Sequence, residues 1–241
     1  MKKILIPLSA GKFPNDEIFI HIARETYLKK LNDLGYKVHF ISYVFPLEHA
    51  RDEYDKCDGV LLMGGGDFNP KIYHSEVDKN CGKFNVKQDG FELSILQWVI
   101  TEKKPFLGIC RGCQALGIAC GGKLIQHIPD RLEEIGISNE FHGLSEGGTY
   151  SSLTSQDGHD VNIVPGSKAN KILNVDKLKI NSGHHQAVEF VGDGFAISGT
   201  SNGGITEVIE SVDESHFCFG IQGHPEALSD SVWDKFFNFE I

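Results

Sequence analysis

The stretch PFLGICRGCQALG, Pro105–Gly117, decides the fold. An apolar strand, Pro105–Ile109, runs into Cys110, with Gly108 and Gly112 placed two residues away on either side. The segment Cys113–Cys120 then reads as a helix of small residues. This G-x-C-x-G pattern is the thiol form of the strand–turn–helix elbow that presents a nucleophile. The sharp turn forces the nucleophile into strained dihedrals, and a Cβ at either flanking glycine would strike the adjoining strand or helix. A helix that begins at the sulfur directs its positive end toward it and favours the thiolate. The backbone N–H of Arg111, next in the chain, can then help to hold an oxyanion. Two plainer readings stay open on these residues alone. Cys110 and Cys113 form a C-x-x-C that suits a redox or metal half-site, or Cys110 is an inert thiol at a strand end. Cys113 and Cys120 read as small packing residues.

Outward from the elbow, short apolar runs alternate with amphipathic stretches, the pattern of a mostly parallel sheet covered by helices. Strands are expected at Lys3–Leu8, Val38–Ile41 and Gly59–Met63, and helices at Asp16–Leu34 and Val86–Glu102. Beyond residue 147 strand signals dominate: His159–Val164, Leu178–Asn181, Phe195–Thr200, Ile205–Glu210 and Phe217–Ile221, before a last helix at Asp230–Phe239. No linker, repeat or low-complexity tract interrupts the chain, so a single domain over residues 1–241 is expected. The 33 acidic against 23 basic side chains leave a formal charge of −10, which argues against a protein that binds nucleic acid by neutralising phosphates. No apolar run reaches the ~18–20 residues of a membrane span. The opening MKKILIPLSA is too short for an export signal and reads as a first strand. Six cysteines without that signal read as reduced thiols of a cytoplasmic protein.

A thiol nucleophile needs a base within hydrogen-bond reach, oriented by a third group. The segment GIQGHPE, Gly220–Glu226, offers His224 and Glu226 at a strand end. Pro225 turns His224 away from helical geometry, and in an extended segment residues two apart face the same side. Glu226 can therefore hold one imidazole nitrogen while the other faces Cys110. A third segment, LLMGGGDFNP, Leu61–Pro70, follows an apolar strand. No Gly-Lys-Ser/Thr follows these glycines, so a phosphate loop is a poor reading. A second oxyanion N–H from Gly65 or Gly66 is a better one, with a simple tight turn as the alternative.

Taken together and in this order, these segments resemble the class I glutamine amidotransferase superfamily. More narrowly they resemble its γ-glutamyl hydrolase branch, the γ-glutamyl-γ-aminobutyrate hydrolases in particular. The likeness extends over GVLLMGGGDFNP, the Asp89 and Glu92 pair, PFLGICRGCQALGIACGGKLIQHIP, HDVNIVPGSKANKIL, INSGHHQAV and GIQGHPE. It implies a flavodoxin-like three-layer α/β sandwich with a mostly parallel central sheet and a nucleophile elbow. Cys110, His224 and Glu226 would form the triad, and Gly65, Gly66 and Arg111 the oxyanion donors. Gln114, His184, His185 and Gln186 would line the substrate cleft. Tandem histidines can suggest a metal, but adjacent strand residues point apart, so no ion shared by His184 and His185 is expected.

The resemblance implies cleavage of a small γ-glutamyl amide through a glutamyl thioester, with no metal or cofactor. Activity is expected to fall at low pH as His224 and the thiol take up protons. The other function to weigh is a glutaminase subunit that passes ammonia to a separate synthetase partner; a homo-oligomer is left open. Two positions depart from the pattern. Gly223 stands where the branch commonly has an aromatic residue, which would open the site or change the amine that fits. Gln88 stands where many relatives have Arg.

Overall fold

The computed structural model describes residues 1–12, 19–138, 140–143, 158–228 and 232–238. Strand β1 (Lys3–Pro7) buries Ile4, Leu5 and Ile6 and is followed by an antiparallel pair, β2 (Ser9–Lys12) and β3 (Phe19–Ile22). Helix α1 (Glu25–Asp33), β4 (Lys37–Ile41), α2 (Leu47–Asp55) and β5 (Gly59–Leu62) come next. After them stand α3 (Val86–Glu102), β6 (Phe106–Ile109), α4 (Arg111–Ala119), β7 (Lys123–Ile125) and α5 (Ile128–Glu134). The remainder carries β8 (Gly158–Ile163), α6 (Lys168–Leu173), β9 (Lys177–Asn181), β10 (Ala187–Phe190), β11 (Phe195–Ser201), β12 (Thr206–Ser211) and β13 (Cys218–Ile221).

Nine strands form the central sheet in the order β4-β1-β5-β6-β13-β12-β11-β8-β9. The first five are parallel and run 2-1-3-4-5 among themselves, the flavodoxin order. From β13 onward the sheet continues antiparallel. This is the α/β fold expected, with a parallel core carrying the elbow. In an open parallel sheet, ligands collect beyond the carboxyl ends of the strands. Cys110 follows β6, Met63 and the glycines follow β5, and His224 lies just beyond β13, so all three segments meet at that edge.

Alternate side chains of the buried strands point to opposite faces, and the core divides accordingly. Ile4, Ile6, Leu61 and Leu107 pack with Tyr27 and Leu31 of α1, Leu173 of α6 and the rings of Trp233, Phe236 and Phe237. Leu5, Val60, Leu62 and Phe106 pack with Tyr54 of α2, Ile95 and Leu96 of α3 and Leu116 of α4. The result is three layers.

Elements β2, β7, β10, α5 and α6 were not expected, and three further differences have a clear cause. The helix expected at Asp16–Leu34 is only Glu25–Asp33; Phe19–Ile22 pairs with β2, and residues 16–18 lie outside the described ones. FIHI is a short apolar run that helix and strand can both use, and pairing with β2 decides for strand. The expected Asp230–Phe239 helix is a 3₁₀ segment, Val232–Asn238, with residues 230, 231 and 239 outside the described ones. Its i, i+3 pair Trp233 and Phe236 stacks with centroids 6.0 Å apart, as the tighter 3₁₀ repeat allows. Helix α2 was not foreseen: only Ala50 and Tyr54 are buried among its nine residues, too few to set a period.

Candidate active site

Cys110 has φ 52° and ψ −106°. Among the described residues three other non-glycine residues have positive φ, but His74, Lys103 and Asn174 sit in the ordinary left-handed well with ψ near 34–39°. Cys110 does not, and such a conformation costs on the order of 1–3 kcal/mol unless its surroundings enforce it. They do. Its N–H donates to the Ile221 carbonyl at 2.7 Å, which ties the turn to β13. A Cβ on Gly108 would lie 2.3 Å from the Gly112 carbonyl oxygen, and one on Gly112 2.3 Å from that of Leu62. Strand, turn and helix thus close to backbone contact, and only glycine fits at either position.

His224 sits one strand over, because β13 is the parallel neighbour of β6. The Asn181 side chain grips its backbone from both sides, accepting from the His224 N–H and donating to its carbonyl, each at 2.8 Å. This clamp was not foreseen as part of the site. Its signal was the INSGHHQ segment, where an asparagine ends a strand. His224 Nδ1 lies 2.7 Å from Glu226 Oε1, both side chains being buried. The two are joined not along an extended strand, as the spacing suggested, but on the 3₁₀ turn Pro225–Ala227. Pro225 opens that turn and swings Glu226 back under the ring. The ring lies beside Cys110, whose side chain adds to the pull on its charge. Burial opposes a charge on His224, but the Glu226 carboxylate and Cys110 outweigh it and push the imidazole up to about 10. His224 is therefore already protonated at neutral pH, and the expected acid-side loss does not come from it.

Of the three glycines after β5, Gly64 lies nearest the Cys–His pair: a Cβ there would stand 2.9 Å from His224 Cε1 and 3.6 Å from Cys110 Cβ. Its N–H donates to the Tyr27 hydroxyl at 3.1 Å. Tyr27 is wholly buried and faces Glu226, so one phenol spans the glycine loop and the carboxylate behind His224. A Cβ on Gly65 would meet Arg111 Cδ at 2.7 Å, and Gly66 lines a cleft of about 270 Å³ with Gly11, Asp67, Lys83 and Phe84. The Arg111 side chain thus passes against Gly65. Its guanidinium pairs with Asp89 Oδ1 at 2.6 Å and with Glu92 Oε2, 3.8 Å above the Phe68 ring.

The four residues expected around the substrate divide. His185 stays part-exposed and sets Nε2 3.1 Å from both Asp67 oxygens, which raise its pKa against the pull of burial. Gln114 spends its amide nitrogen on the Gln186 carbonyl (3.1 Å) and Gln222 Oε1 (3.3 Å). Gln186 is buried and donates to the Gln126 carbonyl. His184 turns inward, its Nε2 3.6 Å from Glu207 Oε1. The two adjacent histidines do point apart. Gly223 does not open the site: a Cβ there would lie 2.5 Å from Ile180 Cδ1 and 2.7 Å from the Asn181 carbonyl oxygen, so β9 already fills the space.

The fold is that of the class I glutamine amidotransferases. A glutamine amidotransferase of Thermotoga maritima superposes with a TM-score of 0.58 over 98% of this chain and 80% of its own, at 14% identity. The glutaminase domain of Trypanosoma brucei CTPS, solved with bound acivicin, gives 0.60 over 99% and 92%, at 16% identity. Within that class the chain belongs to the Peptidase C26 family, whose family model matches residues 12–226. A glutamine amidotransferase-like protein of Rickettsia prowazekii is 31% identical over 206 residues, 73% of each chain. The γ-glutamyl-γ-aminobutyrate hydrolase PuuD of Escherichia coli is 27% identical over 195 residues, 75% of this chain and 71% of its own. Among the described residues no helix is long and apolar enough to cross a membrane.

Proposed function

We propose that this chain hydrolyses the amide bond of a small γ-glutamyl compound to glutamate and an amine. The observation that carries the reading is the strained Cys110 beside a His224 ring that Glu226 holds charged. The Cys110 thiolate adds to the γ-carbonyl, and the carbonyl electrons move onto oxygen. The backbone N–H of Arg111 and one from Gly65 or Gly66 hold that oxyanion. The imidazolium of His224 gives its proton to the leaving amine, and the C–N bond breaks to leave a glutamyl thioester. Neutral His224 then takes a proton from water, which attacks the thioester; glutamate leaves, and the thiolate–imidazolium pair returns. Glu226 and Tyr27 keep the ring oriented, and His185 with Asp67 marks the cleft wall toward the leaving group. The Cys-Arg-Gly-x-Gln string and the likeness to a γ-glutamyl-γ-aminobutyrate hydrolase support this substrate class.

A glutaminase subunit feeding ammonia to a synthetase is the second reading, favoured by relatives described as glutamine amidotransferase-like. Purified protein assayed against γ-glutamyl-γ-aminobutyrate and against glutamine separates the two. The hydrolase reading expects turnover of the former without any partner. Cleavage of glutamine alone, and only after a partner protein is added, would overturn it. Cys110→Ala is expected to fold and to lose at least roughly 10³-fold in kcat; retained turnover would remove the thiol from the mechanism.

A further inference from the structure

His142, His159, His184 and Glu207 come from four separate segments: the stretch after α5, β8, the β9–β10 connection and β12. They meet around one carboxylate oxygen. Glu207 Oε1 lies 2.9 Å from His159 Nε2, 3.5 Å from His142 Nδ1 and 3.6 Å from His184 Nε2. Side-chain exposure is 9% for His159, 1% for His184 and zero for the other two. Apart from the His159–Glu207 contact, none of these nitrogens, and neither Glu207 oxygen, has a hydrogen-bond partner among the described residues. A buried carboxylate without donors is costly, and native interiors rarely contain one without a reason.

The remaining ring nitrogens explain the arrangement. His184 Nδ1 lies 3.0 Å from the Gln186 carbonyl, which can only accept, so that nitrogen carries the hydrogen and Nε2 presents a lone pair. His142 Nε2 lies 2.7 Å from Glu140 Oε1, which leaves the His142 lone pair on Nδ1. Glu140 is itself fixed by the Gly203 N–H at 2.6 Å and by the Ser201 hydroxyl. Histidines held through one nitrogen by a carboxylate or carbonyl, with the other aimed at a common point, have the outer-shell pattern of metal ligands. The spacing agrees. Metal–nitrogen and metal–oxygen bonds of about 2.0–2.2 Å in a tetrahedron put the donors roughly 3.3–3.5 Å apart. The donor atoms of His142, His159 and Glu207 all lie within 4.8 Å of one another.

We propose that His142 Nδ1, His159 Nε2 and a Glu207 oxygen form a buried structural site for a zinc-class divalent cation, with His184 Nε2 facing the same Glu207 oxygen at its edge. The three ligands are buried, so the role is positioning. The expectation of no metal weighed the C-x-x-C pair and His184 with His185; the residues that converge here lie far apart in sequence. The site stands behind the catalytic edge. The Glu207 carbonyl accepts from Gln222 N–H at 2.8 Å, two residues before His224, and His184 lies three residues beyond the Asn181 clamp.

The test uses full-length Cys110→Ala protein, which removes the reactive thiol as a competing ligand, stripped with a chelator and titrated with zinc and with cobalt(II). One tight equivalent of zinc per chain, tetrahedral visible bands with cobalt and a rise in Tm are expected. Glu140→Gln, which keeps all three ligands, should weaken zinc by roughly 10–100-fold, and Glu207→Gln by more. Absence of a tight equivalent, or an octahedral cobalt spectrum, would overturn the proposal. So would zinc binding unchanged in Glu207→Gln. If that variant fails to fold, Glu140→Gln and the Cys110→Ala titration decide. None of these readouts depends on turnover, so failure of the hydrolase reading would leave them intact.

Discussion

At the scale of the residue, the charge on His224 makes the most direct prediction. Its ordinary pKa is about 6.5, whereas here burial is overcome by Glu226 and Cys110 and the value rises to about 10. A raised histidine pKa stabilises the charged folded form fully below about 6.5, and that contribution is lost as pH climbs through 10. The imidazolium therefore persists through neutrality, and kcat/KM should show an alkaline limb near pH 10. Glu226→Gln removes the attraction while burial remains, so the limb should move to lower pH. An alkaline limb that stays in place in Glu226→Gln would show that another group controls it. Gly223 makes a second prediction at this scale. Gly223→Ala drives a Cβ into Ile180 and the Asn181 carbonyl, with a cost of about 1–3 kcal/mol in urea unfolding. Because Asn181 clamps His224, kcat should fall along with stability; an unchanged kcat would separate the clamp from the chemistry.

Between elements, the Arg111 guanidinium joins α4 to α3. It is the buried cation against Asp89 and Glu92, while Gln88 donates to Glu92 at 2.7 Å and accepts from the Ala10 N–H at 3.0 Å. Gln88 thus ties the carboxylates to β2 without adding charge, which is what its departure from arginine achieves here. Arg111→Met keeps the backbone N–H but strands two buried carboxylates, and should cost about 3–5 kcal/mol in urea unfolding. Adding Asp89→Asn and Glu92→Gln should restore part of that loss. If the triple variant is no more stable than the single one, the cost lies in packing over Phe68 and not in charge. Helix α3 was legible to the residue, because Asn85 caps it and Phe91, Ile95, Leu96 and Val99 keep the period. Helix α6 was not: six residues with Ala169, Leu173 and the stem of Lys168 buried are too short to display one. The elbow and the His-Pro-Glu turn could be read because local backbone demands fix their residue types. The Tyr27 bridge and the Asn181 clamp could not, since each depends on contacts 37 and 43 residues apart.

Across the whole molecule, long-range pairing decided what the sequence left open, and the cysteines show how. All six are free, and chain position alone cannot rank their reactivity, because the thiolate is the reactive form and its surroundings set its population. Burial raises Cys113 and Cys218 well above the ordinary thiol range, Cys57 to about 11, and Cys120 as well. Cys81 is partly exposed, but burial and then the nearby Asp67 raise it to about 11. Cys110 alone among the six lies beside a histidine that stays charged to about pH 10, at a point where a helix begins. The fold thus separates one thiol from five by placing β13 beside β6. Iodoacetamide at neutral pH should therefore modify the native protein first at Cys110, and all six cysteines only once a denaturant is added. Peptide mass mapping over time reads the order directly. His224→Ala should slow the first modification by at least about tenfold while leaving the denatured total unchanged. Were Cys81 to react first, exposure and not the imidazolium would govern thiol chemistry here, and the role given to His224 in activating Cys110 would have to be abandoned.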